Sequence, residues 1–189
     1  MRRIWSFLAV SAAVTLASCS TMPPRVAPPI QVAEPTPLPY HWTQGNAPQA
    51  HKDASAVFGR LALRPGDYRW AAVPDSGETR VVIDLLTQLF YVYRADQLVG
   101  VSTISSGKKG RETPLGFWAV MNKQKLGHSR KYDNAAMPFM QMYDAKGIAF
   151  HAGPNPGYPA SHGCVRLPLK FAERLYGLTS MGTKVIIEG

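Results

Sequence analysis

The chain has 189 residues, of which 46% are hydrophobic, and a formal net charge of +9 from 21 Lys and Arg against 12 Asp and Glu. This length and composition suit one modest domain with accessory segments and exclude a chain that is disordered throughout. The positive charge fits nucleic acid in a cytosolic protein, anionic polymers or lipid headgroups outside the cytosol, or solubility alone.

The first 20 residues have the pattern of an export signal. Two arginines precede an apolar run, residues 4–16, which is too short to span a bilayer comfortably. The segment LASC resembles the bacterial lipobox, which implies that residues 1–18 are removed and that Cys19 is lipidated. Ser20 then favours the outer membrane, by analogy with the enteric sorting rule. A plain signal peptide or an uncleaved tether remains an alternative, but each interpretation exports the chain and excludes nucleic acid as partner.

Two further segments precede the predicted domain. Residues 19–50 are crowded with proline, which favours extended polyproline II, so they predict a semi-rigid tether. Residues 51–79 are treated as an accessory segment. Within it, residues 52–63 predict a short amphipathic helix, and the following turn-rich coil supplies aromatic residues to pack at the border of the domain.

From residue 80 the sequence is rich in β-branched and aromatic residues and predicts a β-meander with turns at 87–88 and 95–96. "TPLGFWAVMNK" predicts another strand, and "GIAFHAG" one that ends at His151. Residues 127–147 lack clean periodicity and predict a substrate-covering loop or lid. A helix is expected at 168–176, followed by the closing strand "GTKVIIEG". Residues 80–189 therefore predict a mostly-β domain.

The stretch "SHGCVRLP" contains Cys164, which has no intramolecular disulfide partner if Cys19 carries lipid. A free cysteine is often a small buried hydrophobe, but the flanking residues favour chemistry. Gly163 permits close approach of another molecule, and nearby amides can form an oxyanion hole. Because a free thiol has a pKa of about 8.5, it needs a neighbouring histidine as base, and both His151 and His162 are candidates.

A zinc site is the competing interpretation of the same residues. Its ligands would be Cys164 with His151, His162 and His128. Structural zinc sites normally show paired short spacings and more thiolates, so this pattern favours the thiol nucleophile.

The array "FHAGPNPGYPASHGCVRLP", with "TPLGFWAV" and the hairpin "IDLLTQLFYVYRADQLVG", resembles the L,D-transpeptidase (YkuD-type) catalytic domain. The resemblance covers residues 80–188 and implies a mostly-β, YkuD-like sandwich or barrel of mixed sheets with one or two short helices. Two features depart from the family pattern: the loop between His151 and Ser161 is short, and Trp118 stands where phenylalanine is more common.

The resemblance implies a role for each matching residue. Cys164 is expected to be the nucleophile and His151 its base, oriented by the carbonyl of Ala152. Oxyanion donors are expected from His162, Gly163 and Cys164. Substrate contacts are expected from residues around this pair: Arg166, Ser161, Tyr132 and Met137. No cofactor or metal is expected.

The implied substrate is the peptidoglycan stem peptide, in which the thiolate attacks the amide before the terminal D-alanine. The thioester is then resolved by an amine of another stem, of an envelope protein or of a D-amino acid. A carbapenem is expected to acylate Cys164. Hydrolysis of the thioester and a non-catalytic wall-binding lipoprotein are the alternatives. The expected location is the periplasm, with the lipid in the inner leaflet of the outer membrane.

Overall fold

The structure, a computed structural model, describes residues 43–189. The predicted signal peptide, Cys19 and the tether up to residue 42 lie outside these residues. The described part contains two helices and ten strands: α1 (Asn46–Phe58), β1 (Tyr68–Trp70), β2 (Thr79–Asp84), β3 (Leu89–Arg94), β4 (Gln97–Thr103), β5 (Gly116–Ala119), β6 (Asn122–His128), β7 (Ala136–Met142), β8 (Ala149–Ala152), β9 (Val165–Leu167), α2 (Leu169–Leu178) and β10 (Lys184–Glu188).

Six strands form one mixed sheet in the order β1-β4-β3-β2-β10-β5. Strands β2, β3 and β4 pair antiparallel in succession, which confirms the predicted meander. Ala95 and Asp96 both have positive φ, 47° and 60°, as a two-residue hairpin turn matched to the strand twist requires. The final strand β10 pairs parallel with β2.

The other four strands form a second sheet in the order β6-β7-β8-β9. The prediction of a loop or lid over residues 127–147 was wrong for residues 127–128 and 136–142, because these belong to β6 and β7, which form an antiparallel hairpin. β6 lies at the sheet edge and is exposed along much of its length, so its sequence lacks the alternation of a half-buried strand. Only the turn 129–135 and the loop 143–148 leave the sheet.

The main core lies between the two sheets and is closed by α2. It contains residues that alternate along the inner faces of the strands, among them Val81, Ile83, Phe90, Val92, Phe150, Val165 and Leu167. Phe171, Ala172 and Leu175 of α2 complete it. The predicted fold class, a mostly-β sandwich with two helices, is therefore confirmed.

The helix predicted at 52–63 instead spans Asn46–Phe58, so its first turn falls within the range assigned to the tether. The carboxylate of Glu188, on β10, accepts hydrogen bonds from the backbone N–H groups of Gln44, Asn46 and Ala47. Capping by a residue more than 140 positions away leaves no local sequence signal. Pro48 is tolerated because the first-turn N–H groups have no partner within a helix.

The segment 51–79 is part of the domain rather than a border. The small face of α1, Ala47, Ala50 and Ala54, packs on the side of β2–β4 opposite the main core. Farther along, β1 pairs with β4. Neither helix in residues 43–189 is long and apolar enough to cross a membrane.

Candidate active site

The candidate site lies where β8 and β9 run side by side. The two strands are parallel, with His151 opposite Arg166. Because side chains alternate along a strand, Phe150 and Val165 point into the main core, whereas His151 and Arg166 point to the other face. Cys164 directly precedes β9 and belongs to that same outward set. Parallel pairing thus brings His151 and Cys164, which are 13 positions apart in the sequence, onto the same face.

Cys164 is half-buried and packs against a small cluster that contains Ala149, Met137 and Met140. Burial raises the pKa of its thiol, while a hydrogen bond from the backbone N–H of Ala149 and the positive charge of Arg166 lower it, and burial prevails. The resting group is therefore a protonated thiol at neutral pH. Such a thiol needs a base at the moment of attack.

His151 has the properties of that base. Its side chain is buried, with 7% exposed, and Nδ1 lies 2.8 Å from the carbonyl oxygen of Ala152. Since a carbonyl can only accept, Nδ1 carries the proton and Nε2 is left with a free lone pair. Burial lowers the pKa of His151. The hydrogen bond to the Ala152 carbonyl raises that pKa, and the positive charge of Arg166 lowers it further, so that the net shift is downward. The imidazole is therefore neutral at pH 7 and can accept a proton.

His162, the other candidate base, is exposed. Its ring stacks on Tyr132, with the ring centroids 4.4 Å apart and the planes 18° apart. The Tyr132 hydroxyl accepts a hydrogen bond of 3.2 Å from Nη1 of Arg111. The turn 129–135, the tip of the β6–β7 hairpin, therefore reaches the cysteine loop through Tyr132, and the substrate contact expected of Tyr132 stays a prediction.

Ser161 holds the turn that presents the thiol. Its hydroxyl donates to the carbonyl of Cys164 and accepts the backbone N–H of Gly163 at 3.0 Å. Ser161 is 1% exposed, and its two hydrogen bonds brace the turn, so the expected substrate contact stays a prediction that this burial disfavours. The N–H of Gly163 is equally committed, so Gly163 cannot serve as a predicted oxyanion donor.

The oxyanion donors that remain are the backbone N–H groups of His162 and Cys164. Neither makes a hydrogen bond to another group within residues 43–189. Both flank Gly163, whose φ of 118° is a conformation that L side chains rarely adopt. A Cβ at this glycine would also lie 3.3 Å from Cδ1 of Ile148. The sharp turn that exposes these two donors therefore requires glycine.

Thr113 is a supporting residue that the sequence reasoning did not single out. Its hydroxyl donates to the carbonyl of Gly163 at 2.8 Å and accepts the N–H of Gly107 at 2.9 Å. Thr113 is the threonine that opens "TPLGFWAVMNK", the segment that predicts a strand. The hydroxyl anchors this segment to the cysteine loop. In the sequence, the sign of that supporting role was the polar residue at this position.

Arg166 and Met137, the other two predicted substrate contacts, differ in how much of the residue is exposed. Arg166 is half-buried, and its stem passes close to Gly153, where a Cβ would lie 3.2 Å from Cγ of Arg166 and 3.4 Å from Cε1 of His151. Met137 is only 7% exposed and packs with Met140 and Ala149. It can shape the floor beneath Cys164 but has little surface to offer a ligand.

The zinc alternative needs at least three ligands close together. Within residues 43–189, no three His, Cys, Asp or Glu side chains are grouped so that they could hold a metal ion.

The fold of the chain is similar to that of solved L,D-transpeptidases. One from Mycobacterium tuberculosis H37Rv is 20% identical with a TM-score of 0.56, over 59% of this chain and 57% of its own length. One from Stackebrandtia nassauensis is 21% identical with a TM-score of 0.56, over 75% and 67%. LdtMt1, solved in complex with imipenem, is 19% identical with a TM-score of 0.53, over 58% of each chain.

The first and third of these matches span less than two thirds of the solved protein's length. No curated protein matches the chain. The model of the YkuD family, described as the L,D-transpeptidase catalytic domain, matches residues 78–187, which is more than half of the 189 residues. The chain therefore belongs to the YkuD family of L,D-transpeptidase catalytic domains.

Proposed function

We propose that this protein is a peptidoglycan L,D-transpeptidase that uses Cys164 as its nucleophile. The thiol attacks the amide carbonyl between the third residue of a stem peptide and its terminal D-alanine, and His151 takes the thiol proton. The C–N bond then breaks, His151 returns the proton to the departing amine, and D-alanine leaves. The resulting thioester is resolved by an amine acceptor, which forms a new amide and restores the thiol.

The observation that carries this proposal is the pairing of a protonated thiol with a neutral, oriented imidazole. Cys164 and His151 lie on the same face of the parallel pair β8–β9, and the Ala152 carbonyl orients the imidazole so that Nε2 is free. A thiol with a raised pKa is a weak nucleophile unless a base removes its proton. His151 supplies that base without needing an acidic partner.

In this proposal the N–H groups of His162 and Cys164 stabilise the oxyanion of each tetrahedral intermediate, and their lack of another hydrogen-bond partner within residues 43–189 supports this. A single such donor contributes roughly 10²- to 10³-fold to the rate. The bracing of this loop by Ser161 and Thr113 therefore supports catalysis as well as stability, because it holds the donors in place before the substrate arrives.

The anchoring and location of the protein belong to the same proposal. Export with lipid on Cys19, and a proline-rich tether before α1, would keep the domain in the periplasm at the inner leaflet of the outer membrane, within reach of the wall. Lipid holds a protein on a membrane because each buried methylene contributes about 0.8 kcal/mol, so that two or more chains anchor it stably. Metabolic labelling with a fatty acid, compared between the native chain and Cys19→Ala, tests this: equal labelling would contradict it.

The transpeptidase activity is tested by mass spectrometry of tetrapeptide-containing muropeptides incubated with the purified protein. Dimers that lack one D-alanine, absent with Cys164→Ala, are expected. Tripeptide monomers alone would assign thioester hydrolysis instead. Adding an envelope protein or a D-amino acid to the same reaction shows which amine acts as acceptor. Equal turnover by the Cys164→Ala protein would contradict the mechanism.

A further inference from the structure

Two loops beside Cys164 carry more positive than negative charge. The loop 107–112 and the β6–β7 turn 129–135 together contain five basic and two acidic residues. These are Lys108, Lys109, Arg111, Arg130 and Lys131 against Glu112 and Asp133. The mechanism assigns no task to any of them.

The cations whose charge acts on His162, which are Lys108, Arg111 and Arg166, lack acidic partners within residues 43–189. The ion pairs of this part of the chain lie elsewhere, at Arg80–Asp96, Lys170–Glu173 and Lys184–Glu78. Lys108, Arg111 and Arg166 form none. The carboxylate of Glu112 instead accepts the N–H of Gly110 at 2.6 Å. Charges left uncompensated in this way are available to an anion from solution.

The structure also holds the loop 107–112 against the cysteine turn. The N–H of Lys108 donates to the carbonyl of Ser161 at 3.0 Å, and the N–H of Arg111 donates to the carbonyl of Lys108 at 2.8 Å. The guanidinium of Arg111 donates to the hydroxyl of Tyr132, whose ring stacks on His162. The backbone of the loop and the guanidinium of Arg111 are therefore held beside the cysteine turn.

The effect of these charges reaches the catalytic turn. Besides loss of solvent, the positive charges of Lys108, Arg111 and Arg166 lower the pKa of His162, a residue of the same turn as Cys164. An anion bound among them would lie next to a peptide whose carbonyl is over the thiol.

We propose that Arg111 and Lys108, positioned by Tyr132 and by the carbonyl of Ser161, bind a carboxylate of the donor stem peptide and so select anionic donors. This inference rests on the proposed transpeptidase function and names residues that set its donor specificity. Stem peptides carry carboxylates at D-glutamate and at the terminal D-alanine, and the chemistry of the subsite is the same for both.

The donor test compares three tetrapeptide muropeptides: one unmodified, one amidated at D-glutamate and one amidated at the terminal D-alanine. Arg111→Gln is expected to lower kcat/KM for the unmodified donor about ten-fold, as loss of a charge-assisted hydrogen bond predicts. The loss should shrink to near unity for the donor whose amidated carboxylate is the one bound. Lys108→Gln should show the same pattern.

Lys52→Gln is the matched control, since it removes the same charge from the exposed face of α1, on the far side of the six-stranded sheet. It should leave all three donors unaffected. An Arg111→Gln protein that loses nothing, or that loses the same factor for every donor, overturns the proposal.

A second measurement does not depend on peptidoglycan turnover. The rates at which anionic ethylsulfonate and cationic ethylammonium methanethiosulfonates modify Cys164 report the charge around it. In each case the thiolate attacks the reagent's sulfenyl sulfur and methanesulfinate leaves. The anionic-to-cationic rate ratio should fall about five-fold in Arg111→Gln, because a positive charge beside the cysteine turn is lost, which is worth roughly 1 kcal/mol. It should not change in Lys52→Gln. An unchanged rate ratio in Arg111→Gln overturns the anion subsite, even if transpeptidation is observed. If the rate ratio falls but the native protein turns over no donor, the subsite is supported and the proposed function fails.

Discussion

Nδ1 of His151 donates to the backbone carbonyl of Ala152, its own neighbour in β8, at 2.8 Å. This bond fixes the tautomer without a carboxylate, so the ring remains a neutral base rather than half of an ion pair. The arrangement differs from a thiolate–imidazolium pair because burial raises the pKa of Cys164 and lowers that of His151. Both shifts favour the uncharged pair before substrate binds.

The first prediction concerns the acid limb of the pH profile. Protonation of His151 removes the base, and its lowered pKa means that this occurs below the usual value of about 6.5. Activity should therefore persist as the pH falls to 6.5 and decline only at lower pH. The measurement is kcat/KM against pH; a midpoint above 6.5 would contradict the assignment. Stability should fall over the same acid range, because the unfolded chain binds a proton that folded His151 resists.

The second prediction concerns covalent capture of the thiol. Imipenem is expected to add to the native protein and to give one adduct on Cys164, because its strained lactam presents an acylable carbonyl. Intact mass and peptide mapping measure this. The Cys164→Ala protein is the control, and it should remain unmodified with an unchanged Tm. An unmodified native protein after long incubation would count against an accessible, activated thiol.

The third prediction concerns the turn at Gly163. Gly163→Ala places a Cβ at φ 118° and 3.3 Å from Ile148, so the turn must shift and displace both oxyanion donors. Loss of one donor lowers kcat roughly 10²-fold or more. Gly110→Ala is the matched control, since that glycine also has positive φ, 78°, but has open space around it. It should cost only about 1 to 2 kcal/mol of backbone strain, with near-native kcat. Equal activity of the two variants would show that the turn does not position the donors.

The fourth prediction concerns the distant cap of α1. Glu188 is 1% exposed, and its carboxylate accepts the N–H groups at the start of the helix. Burial raises the pKa of the Glu188 carboxyl. The hydrogen bonds from Ala47, Asn46 and Gln44 lower that pKa by more, so it lies below the usual range for Glu. Glu188→Gln should lower the free energy of unfolding by about 1 to 3 kcal/mol, as expected when charge-assisted bonds are lost.

Urea denaturation of Glu188→Gln measures that loss, with Glu173→Gln on the exposed face of α2 as the control. Because the folded pKa of Glu188 is depressed, the difference between native and variant should be full above about pH 4.3, the usual value for Glu, and should vanish as the pH falls through the folded pKa. A constant difference at all pH values would assign the effect to packing alone.

The sequence by itself determined what kind of domain this is and indicated a thiol site within it. The run of β-branched and aromatic residues after residue 80 predicted the meander, because such side chains pack well on the pleated surface of a strand. The unpaired Cys164 beside Gly163, with His151 at a strand end, indicated a thiol site, since these residue types have chemical requirements that can be seen locally.

Only the tertiary structure decided which of those residues share a face and which backbone groups are free. The parallel pairing of β8 with β9 put buried His151 on the same face as Cys164, whereas His162 is exposed, and strand pairing is a contact between distant segments. The bond from Gly163 to Ser161 removed one expected oxyanion donor, and the capping of α1 by Glu188 moved the helix six residues towards the N-terminus. In each case the outcome depended on hydrogen bonds between distant parts of the chain. The spacing of residues in the sequence does not show which partner a backbone N–H or C=O group will have.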